Sequence, residues 1–214
     1  PRLRATAAAL HKALRVSPDR CAQHKVGSRM QYILASASPR RKELLSQILE
    51  DFIVDPARGG EEVNLSLFPE DIARALAERK CDEVYHRHSG STVIGCDTIV
   101  VYNGEILGKP ADAAEATATL KMLSGKTHYV ITGVCVRNKY KKLVRHERTE
   151  VRFNILTDEF IKKYVASGSP MDKAGSYGIQ DGGLVKQYFG SYTNVVGMPV
   201  ALVRNMLKEV LEDV

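Results

Sequence analysis

The sequence predicts an α/β domain with a mixed central sheet flanked by helices, and three observations carry that prediction. Short strand and helix patterns alternate from residue 32 to residue 84, Asn103-Gly104 folds an apolar run back on itself, and two long β patterns, 127–137 and 143–155, meet at a basic turn around Asn138. Helices between strands favour parallel pairing, whereas tight turns force antiparallel pairing, so one sheet must contain both.

Tyr32–Ala35 is a short apolar strand. Ser38 is a good N-cap and Pro39 fits the first helical position, where its missing N–H costs nothing, so a helix is expected over 39–50. Phe52-Ile-Val-Asp-Pro56 reads as a second strand, followed by a polar loop through Glu61 and Glu62. Pro69-Glu-Asp opens a helix in which Ile72, Ala73, Leu76, Ala77, Cys81 and Val84 recur at helical spacing, and which also carries Lys80. Thr92–Tyr102 is an apolar β run interrupted by one acid, Asp97, and the Asn-Gly turn leads it into a partner over 105–110. Helices over 112–123 and 157–167, a Gly-rich loop through Asp181-Gly-Gly183, a short strand over 184–189 and a terminal helix from about 199 complete the pattern. No internal repeat or low-complexity linker divides it.

At 214 residues, 44% hydrophobic and 26% charged, the chain can bury a sizeable core in one domain, placed at 30–214. The net charge of +6 suggests nucleic acid until it is located. Residues 1–29 hold seven Lys or Arg against one acid, Asp19, and the rest carries 24 basic and 24 acidic groups. The body is therefore neutral, and no nucleic-acid footprint is expected on it. The basic segment, rich in Ala, Leu and Arg, fits an amphipathic helix packed as an N-terminal extension, or the remnant of an organellar transit peptide. Cys21, Cys81, Cys96 and Cys135 show no zinc or disulfide spacing, which fits free thiols in a reducing compartment. No stretch approaches the ~20 apolar residues a membrane span requires. A cytoplasmic protein is expected, or an organellar one if 1–29 is a targeting remnant.

The turn Ser36-Ala-Ser-Pro-Arg-Arg41 sets two hydroxyls and two arginines beside backbone N–H groups at the positive end of a helix, which suits an anion such as phosphate. An ordinary helix start with solvated arginines fits the same residues. Asp97 is costly to bury without a partner or a task. Metal ligand and general base are two such tasks; an inward acid paired with a backbone N–H or with Lys80 is the plain alternative. Lys109, Glu61 and Glu62 read singly as solvated charges, and Asp172-Lys-Ala-Gly-Ser-Tyr-Gly-Ile-Gln180 as a loop able to line a pocket. Together they meet the needs of hydrolysing a Mg²⁺-bound polyphosphate, with cations to neutralise charge and carboxylates to hold metal and activate water. There is no Gly-x-x-x-x-Gly-Lys-Ser/Thr loop, which excludes a P-loop. The six histidines show no ligand spacing, and His128 reads as a structural hydrogen-bonder.

From residue 32 onward the chain resembles the Maf-like nucleoside triphosphate pyrophosphatases. The resemblance rests on Ser36-Ala-Ser-Pro-Arg-Arg41, Asp97-Thr98, Gly108-Lys-Pro110, Leu123-Ser-Gly-Lys-Thr-His128, Asp172–Gln180 and Gly190-Ser-Tyr-Thr-Asn-Val-Val-Gly197, in that order. It implies a mixed α/β fold shared with the inosine-triphosphate pyrophosphatases, an active-site cleft, and conversion of a nucleoside triphosphate to monophosphate and pyrophosphate with a divalent metal, Mg²⁺ or Mn²⁺. Residue by residue it implies Asp97 as general base and metal ligand, and Glu62 (or Glu61) as the loop glutamate on the metal. It further implies Ser36, Arg41, Lys80 and Lys109 on phosphate. Arg40, Thr98 and Gln180 resemble the branch acting on dTTP and UTP; the 7-methyl-GTP branch differs at the first position and carries Glu for the Gln. Cys96 and Met198 depart from the usual Ala and Leu, and Asp181 adds a charge beside Gln180. The expected partners are a small-molecule nucleotide and a second copy of the chain, with neither membrane nor nucleic acid. The family's older name, septum-formation inhibitor, supports a rival, a regulator that binds nucleotide or nucleic acid without turnover. Carboxylates facing a triphosphate speak against it.

Overall fold

β1 (Tyr32–Leu34) is short, yet it sets the order of the sheet. In the computed structural model, which describes residues 30–59 and 67–212, β1 pairs in parallel with β2 (Ile53–Val54) on one side and β3 (Thr92–Tyr102) on the other. Asn103 and Gly104, both at positive φ, reverse the chain into β4 (Glu105–Leu107), antiparallel to β3. β5 (Thr127–Arg137), β6 (Lys142–Phe153) and β7 (Val185–Phe189) extend the sheet antiparallel, giving the order β2-β1-β3-β5-β6-β7 with β4 on β3. The mixed sheet expected from the sequence is present. The extension 1–29 and the loop acids Glu61 and Glu62 lie outside the described residues.

The helices are α1 (Pro39–Leu45), α2 (Pro69–Arg87), α3 (Ala113–Leu123), α4 (Asp158–Ala166), α5 (Tyr192–Val196) and α6 (Val200–Leu211). Among the described residues none is long and apolar enough to cross a membrane. Side chains alternate across β3 and so divide the helices between two layers. Val93, Ile99 and Val101 pack on α2 through Ala73, Leu76, Ala77, Cys81 and Val84. Ile94 and Cys96 point the other way, onto Leu44 and Leu45 of α1 and Val203 and Met206 of α6, while Val100 meets α3 and α4 through Leu120, Leu123 and Ile161. Cys96 and Met198 are fully buried in the same α1/α6 cluster, so both departures from the family pattern fall in one apolar region.

α2 lies closer to the sheet than side chains would permit. A Cβ on Gly95 would stand 2.6 Å from the Ala77 carbonyl oxygen, and one on Gly133 would stand 1.9 Å from that of Ala73. Gly133 is paired directly opposite Asp97 in the β3/β5 register. The missing side chains thus bring Lys80, on the next turn of α2, within reach of Asp97.

Some boundaries differ from the sequence reading. α1 ends at Leu45 rather than residue 50. The Ser46 hydroxyl donates to the Lys42 carbonyl (2.9 Å) and the chain tightens to three-residue turns, Gln47 N–H to Leu44 and Ile48 N–H to Leu45, so Ile48 still reaches the core. The strand expected over 52–56 shrinks to two residues, since Pro56 has no N–H and Asp55 turns to Arg87 and His88. β6 stops at Phe153: Asn154 N–H donates to Leu184 and Ile155 is 88% exposed. The loop before β7 contains three 3₁₀ turns, Ser169–Asp172, Ala174–Ser176 and Ile179–Asp181. Helix α5 was not expected at all.

Candidate active site

β5 runs along one edge of β3. On the other edge β1 pairs with residues 92–94 and β4 with residues 100–102, and among the described residues no strand pairs with 95–99 there. The gap opens a cleft of about 780 Å³ whose lining includes Ser36, Arg40, Arg41, Lys80, Asp97, Thr98, Lys109 and Gln180. Every described residue assigned to the site from sequence therefore meets the others in one place. The two assigned residues at the middle of β3 point to opposite faces, Asp97 toward α2 and Thr98 toward α1, and the cleft reaches both.

Asp97 is 6% exposed and forms an ion pair with Lys80. The pairing named as the plain alternative is thus real, but it sits on the cleft wall rather than inside the core. A carboxylate and an ammonium held together at a cavity surface are available to a ligand that offers a partner to each.

The Ser36–Arg41 turn is built by local hydrogen bonds. The Ser38 hydroxyl caps α1 by accepting from Arg41 N–H (3.4 Å), and the Ser36 hydroxyl accepts from Ser38 N–H (3.2 Å). Arg41 then fixes the turn to the rest of the fold. Its Nε donates to the Gly197 carbonyl (2.9 Å), one terminal nitrogen to Ser36 Oγ (3.2 Å) and the other to Thr98 Oγ1 (3.1 Å). Thr98 Oγ1 also bonds Thr132 Oγ1 (2.9 Å), and Thr132 donates to the Asn194 carbonyl (3.1 Å). Asn194 is fully buried and donates to Val130 O and Thr149 Oγ1. Thr98 is therefore tied to Arg41, and its hydroxyl is placed by that network. Arg41→Ala should lower kcat/KM for a triphosphate by about ten- to a hundredfold, the loss of one charged hydrogen-bond donor set, and Arg41→Lys should restore only part because the fork is gone. Kinetics equal to wild type in both would place the phosphate cradle elsewhere.

The opposite wall is the Ser169–Asp181 loop. Lys173 is its hub: Nζ donates to the Ser169 carbonyl (2.5 Å), Ser169 Oγ (3.1 Å) and Asp172 Oδ1 (2.9 Å). Asp181 accepts from the Tyr164 phenol (2.5 Å) and from Ser169 (2.7 Å). The charge beside Gln180 is thus engaged by Tyr164 of α4 and by Ser169 of the loop, and does not line the cleft. Arg40 crosses the cleft to Asp172 Oδ2 (2.8 Å). Burial works to raise the Asp172 carboxyl, but bonds from Lys173 and Arg40 outweigh it and hold it at about 2.

Tyr177 lines the cleft floor, its hydroxyl bonded to His128 Nε2 (2.7 Å), with Phe153 edge-on to both rings. Burial pushes His128 down to about 4, so the ring is neutral near pH 7, as a structural hydrogen-bonder should be. Five cationic side chains (Arg40, Arg41, Lys80, Lys109, Lys173) face two carboxylates (Asp97, Asp172) in the lining, a balance that draws a polyanion. No group of three His, Cys, Asp or Glu able to hold a metal occurs among the described residues.

Sequence reasoning missed three supports: the Gly197 carbonyl, the Thr132–Asn194 pair and the bridging role of Asp172. Ser191 caps α5 by accepting from Asn194 N–H, and Gly197 ends it at positive φ, so a Ser-x-x-Asn-x-x-Gly signal for the short helix was present in the chain.

The family model described as "Maf-like protein" matches residues 31–210. A Bacillus cytotoxicus protein named dTTP/UTP pyrophosphatase is 49% identical over 181 residues, covering 84% of this chain and 95% of that protein. One of the same name from Thermococcus gammatolerans is 47% identical over 173 residues, covering 80% and 92%. A solved Mycobacterium abscessus nucleoside-triphosphatase / dITP/XTP pyrophosphatase aligns with a TM-score of 0.41 at 17% identity over 85% of this chain and 99% of that one, a likeness too distant to bear on function. By the family match and by relatives this similar over this much of its length, the chain belongs to the Maf-like protein family.

Proposed function

We infer that this chain hydrolyses dTTP and UTP to the monophosphate and pyrophosphate, and that pyrimidine nucleotides with altered bases also fit its site. The observation that carries this is the placing of Asp97 and Lys80 in a cleft with a cationic wall on one side and Gln180 on the other. Relatives at 47–49% identity that bear the name dTTP/UTP pyrophosphatase support it.

In the reaction, water adds across the anhydride between the α- and β-phosphates, that P–O bond breaks, and pyrophosphate leaves. Asp97 takes the proton of the attacking water. Lys80, Lys109 and Arg41, with the Ser36 hydroxyl, neutralise and orient the polyphosphate. A divalent cation suits this donor set, since Mg²⁺ is commonly held by one or two carboxylates together with substrate phosphates. Asp97 would hold it, with Glu62 (or Glu61), which the family resemblance assigns to the metal, as the second candidate. When bound, it would stabilise charge on the phosphate oxygens and lower the pKa of water.

Gln180 faces the base. Its amide offers an N–H donor and a carbonyl acceptor together, the pair that a thymine or uracil edge complements. Gln180→Glu accepts but cannot donate, so kcat/KM for dTTP should fall by about ten- to a hundredfold, from roughly 1–3 kcal/mol for an unmatched polar pair. A panel of triphosphates assayed for pyrophosphate release with Mg²⁺ or Mn²⁺ tests the whole reading. Preference for GTP or 7-methyl-GTP, or Gln180→Glu kinetics equal to wild type, would reject the base assignment. Nucleotide binding without pyrophosphate release would favour the regulator instead.

A further inference from the structure

Two cationic side chains stand next to each other on α1, and the structure treats them differently. Arg41 turns inward and bonds neutral acceptors, Gly197 O, Ser36 Oγ and Thr98 Oγ1, so its positive charge has no carboxylate among these partners. Arg40 reaches across the cleft mouth to the Asp172 carboxylate at 2.8 Å. That carboxylate is shared: its second oxygen accepts from Lys173, whose ammonium also holds the Ser169 carbonyl and lies 3.9 Å from Asp181. Asp172 thus joins α1 to the hub of the loop that carries Gln180. Lys173 is only 10% exposed, which fixes the loop end of the bridge, while Asp172 itself opens to the cleft at 61%.

We propose that Asp172 is a specificity-determining positioning residue, which pairs with Arg40 to withdraw it from phosphate binding and hold it with Gln180 as one base-facing wall. The proposal deepens the pyrimidine reading above and rests on it. An arginine already matched by a carboxylate adds little net attraction for a polyanion, because the two charges act on it with opposite sign. Its remaining N–H donors stay directed at whatever lies against the loop, where a base carbonyl is the fitting acceptor. The carboxylate keeps its charge at any pH near neutrality, being held at about 2, so the bridge is not a pH switch.

The test uses the full chain and three readouts: KM and kcat for dTTP, kcat/KM for GTP, and inhibition by inorganic tripolyphosphate, which has charge but no base. In Asp172→Asn the bridge loses its charge, and kcat/KM for dTTP should fall by about two- to fivefold, the range for a partly exposed pair, mainly through KM. Preference for dTTP over GTP should narrow, and tripolyphosphate should inhibit more strongly, because Arg40 is released toward phosphate. Arg40→Gln should also narrow the preference without tightening tripolyphosphate, and the double variant should match Arg40→Gln rather than add to it. If Asp172→Asn does not fold, Arg40→Gln supplies the base-preference readout alone, and an unchanged dTTP/GTP ratio there overturns the proposal. So would an Asp172→Asn protein with wild-type ratio and wild-type inhibition, or one slowed equally on every nucleotide. Wild-type protein that releases no pyrophosphate from dTTP would instead remove the reading beneath it.

Discussion

Asp97→Asn is expected to lower kcat for dTTP by about 10²–10⁴ while the protein melts within a few degrees of wild type. The amide is nearly isosteric, so packing against α2 is kept, but it cannot take a proton from water and is a poor metal ligand. Lys80 loses the charge of one partner, and it borders the cleft and can reach solvent or substrate there. A structural role alone predicts the reverse, a lowered melting temperature with kcat retained. Activity within a few-fold of wild type would therefore reject Asp97 as the base, and a large drop in melting temperature with residual kcat intact would return it to the plain ion-pair reading.

Gly133→Ala should be the most destabilising small substitution in the sheet. The added methyl would stand 1.9 Å from the Ala73 carbonyl oxygen and 2.3 Å from its carbon, which are helix backbone and cannot rotate away. Overpacking of this kind costs about 1–3 kcal/mol or more, and for a domain of this size ~3 kcal/mol lowers the melting temperature by roughly 6–12 °C. Activity should fall as well, because the shift of α2 needed to relieve the clash carries Lys80 away from Asp97. Gly90→Ala is the control, since nothing lies within 4 Å of a Cβ there. Equal melting temperatures for the two variants, by calorimetry, would show that α2 does not ride on Gly133.

What was legible in the sequence was what local chemistry marks. Ser38-Pro39 announces a helix start whatever the rest of the chain does, and an acid in the middle of Val93–Val101 stands out because burial penalises it. Even Lys80 could be named as its partner, since helical spacing puts it on the apolar side of α2. The Arg40–Asp172 bridge was not legible: its members are 132 positions apart and each is unremarkable alone. Nor was α5, whose five residues are too few to show a helical period even though its caps are in place. The early stop of α1 was hidden for the opposite reason. Leu45, Ile48 and Leu49 keep an apolar spacing that tight turns satisfy as well as a helix does.

The Gly197 carbonyl that receives Arg41 lies 156 positions after it. No local folding unit can make that bond, so a long loop must close first, and the entropy of closing it is offset only by packing of the rest of the domain. On the ribosome the Ser36–Arg41 turn emerges before its anchor, which at ~5–20 residues per second follows roughly 8–30 s later. Until then Arg41 has its charge but not its position. The guanidinium is set in place only when α5 has been made and its final carbonyl, that of Gly197, has come back to α1.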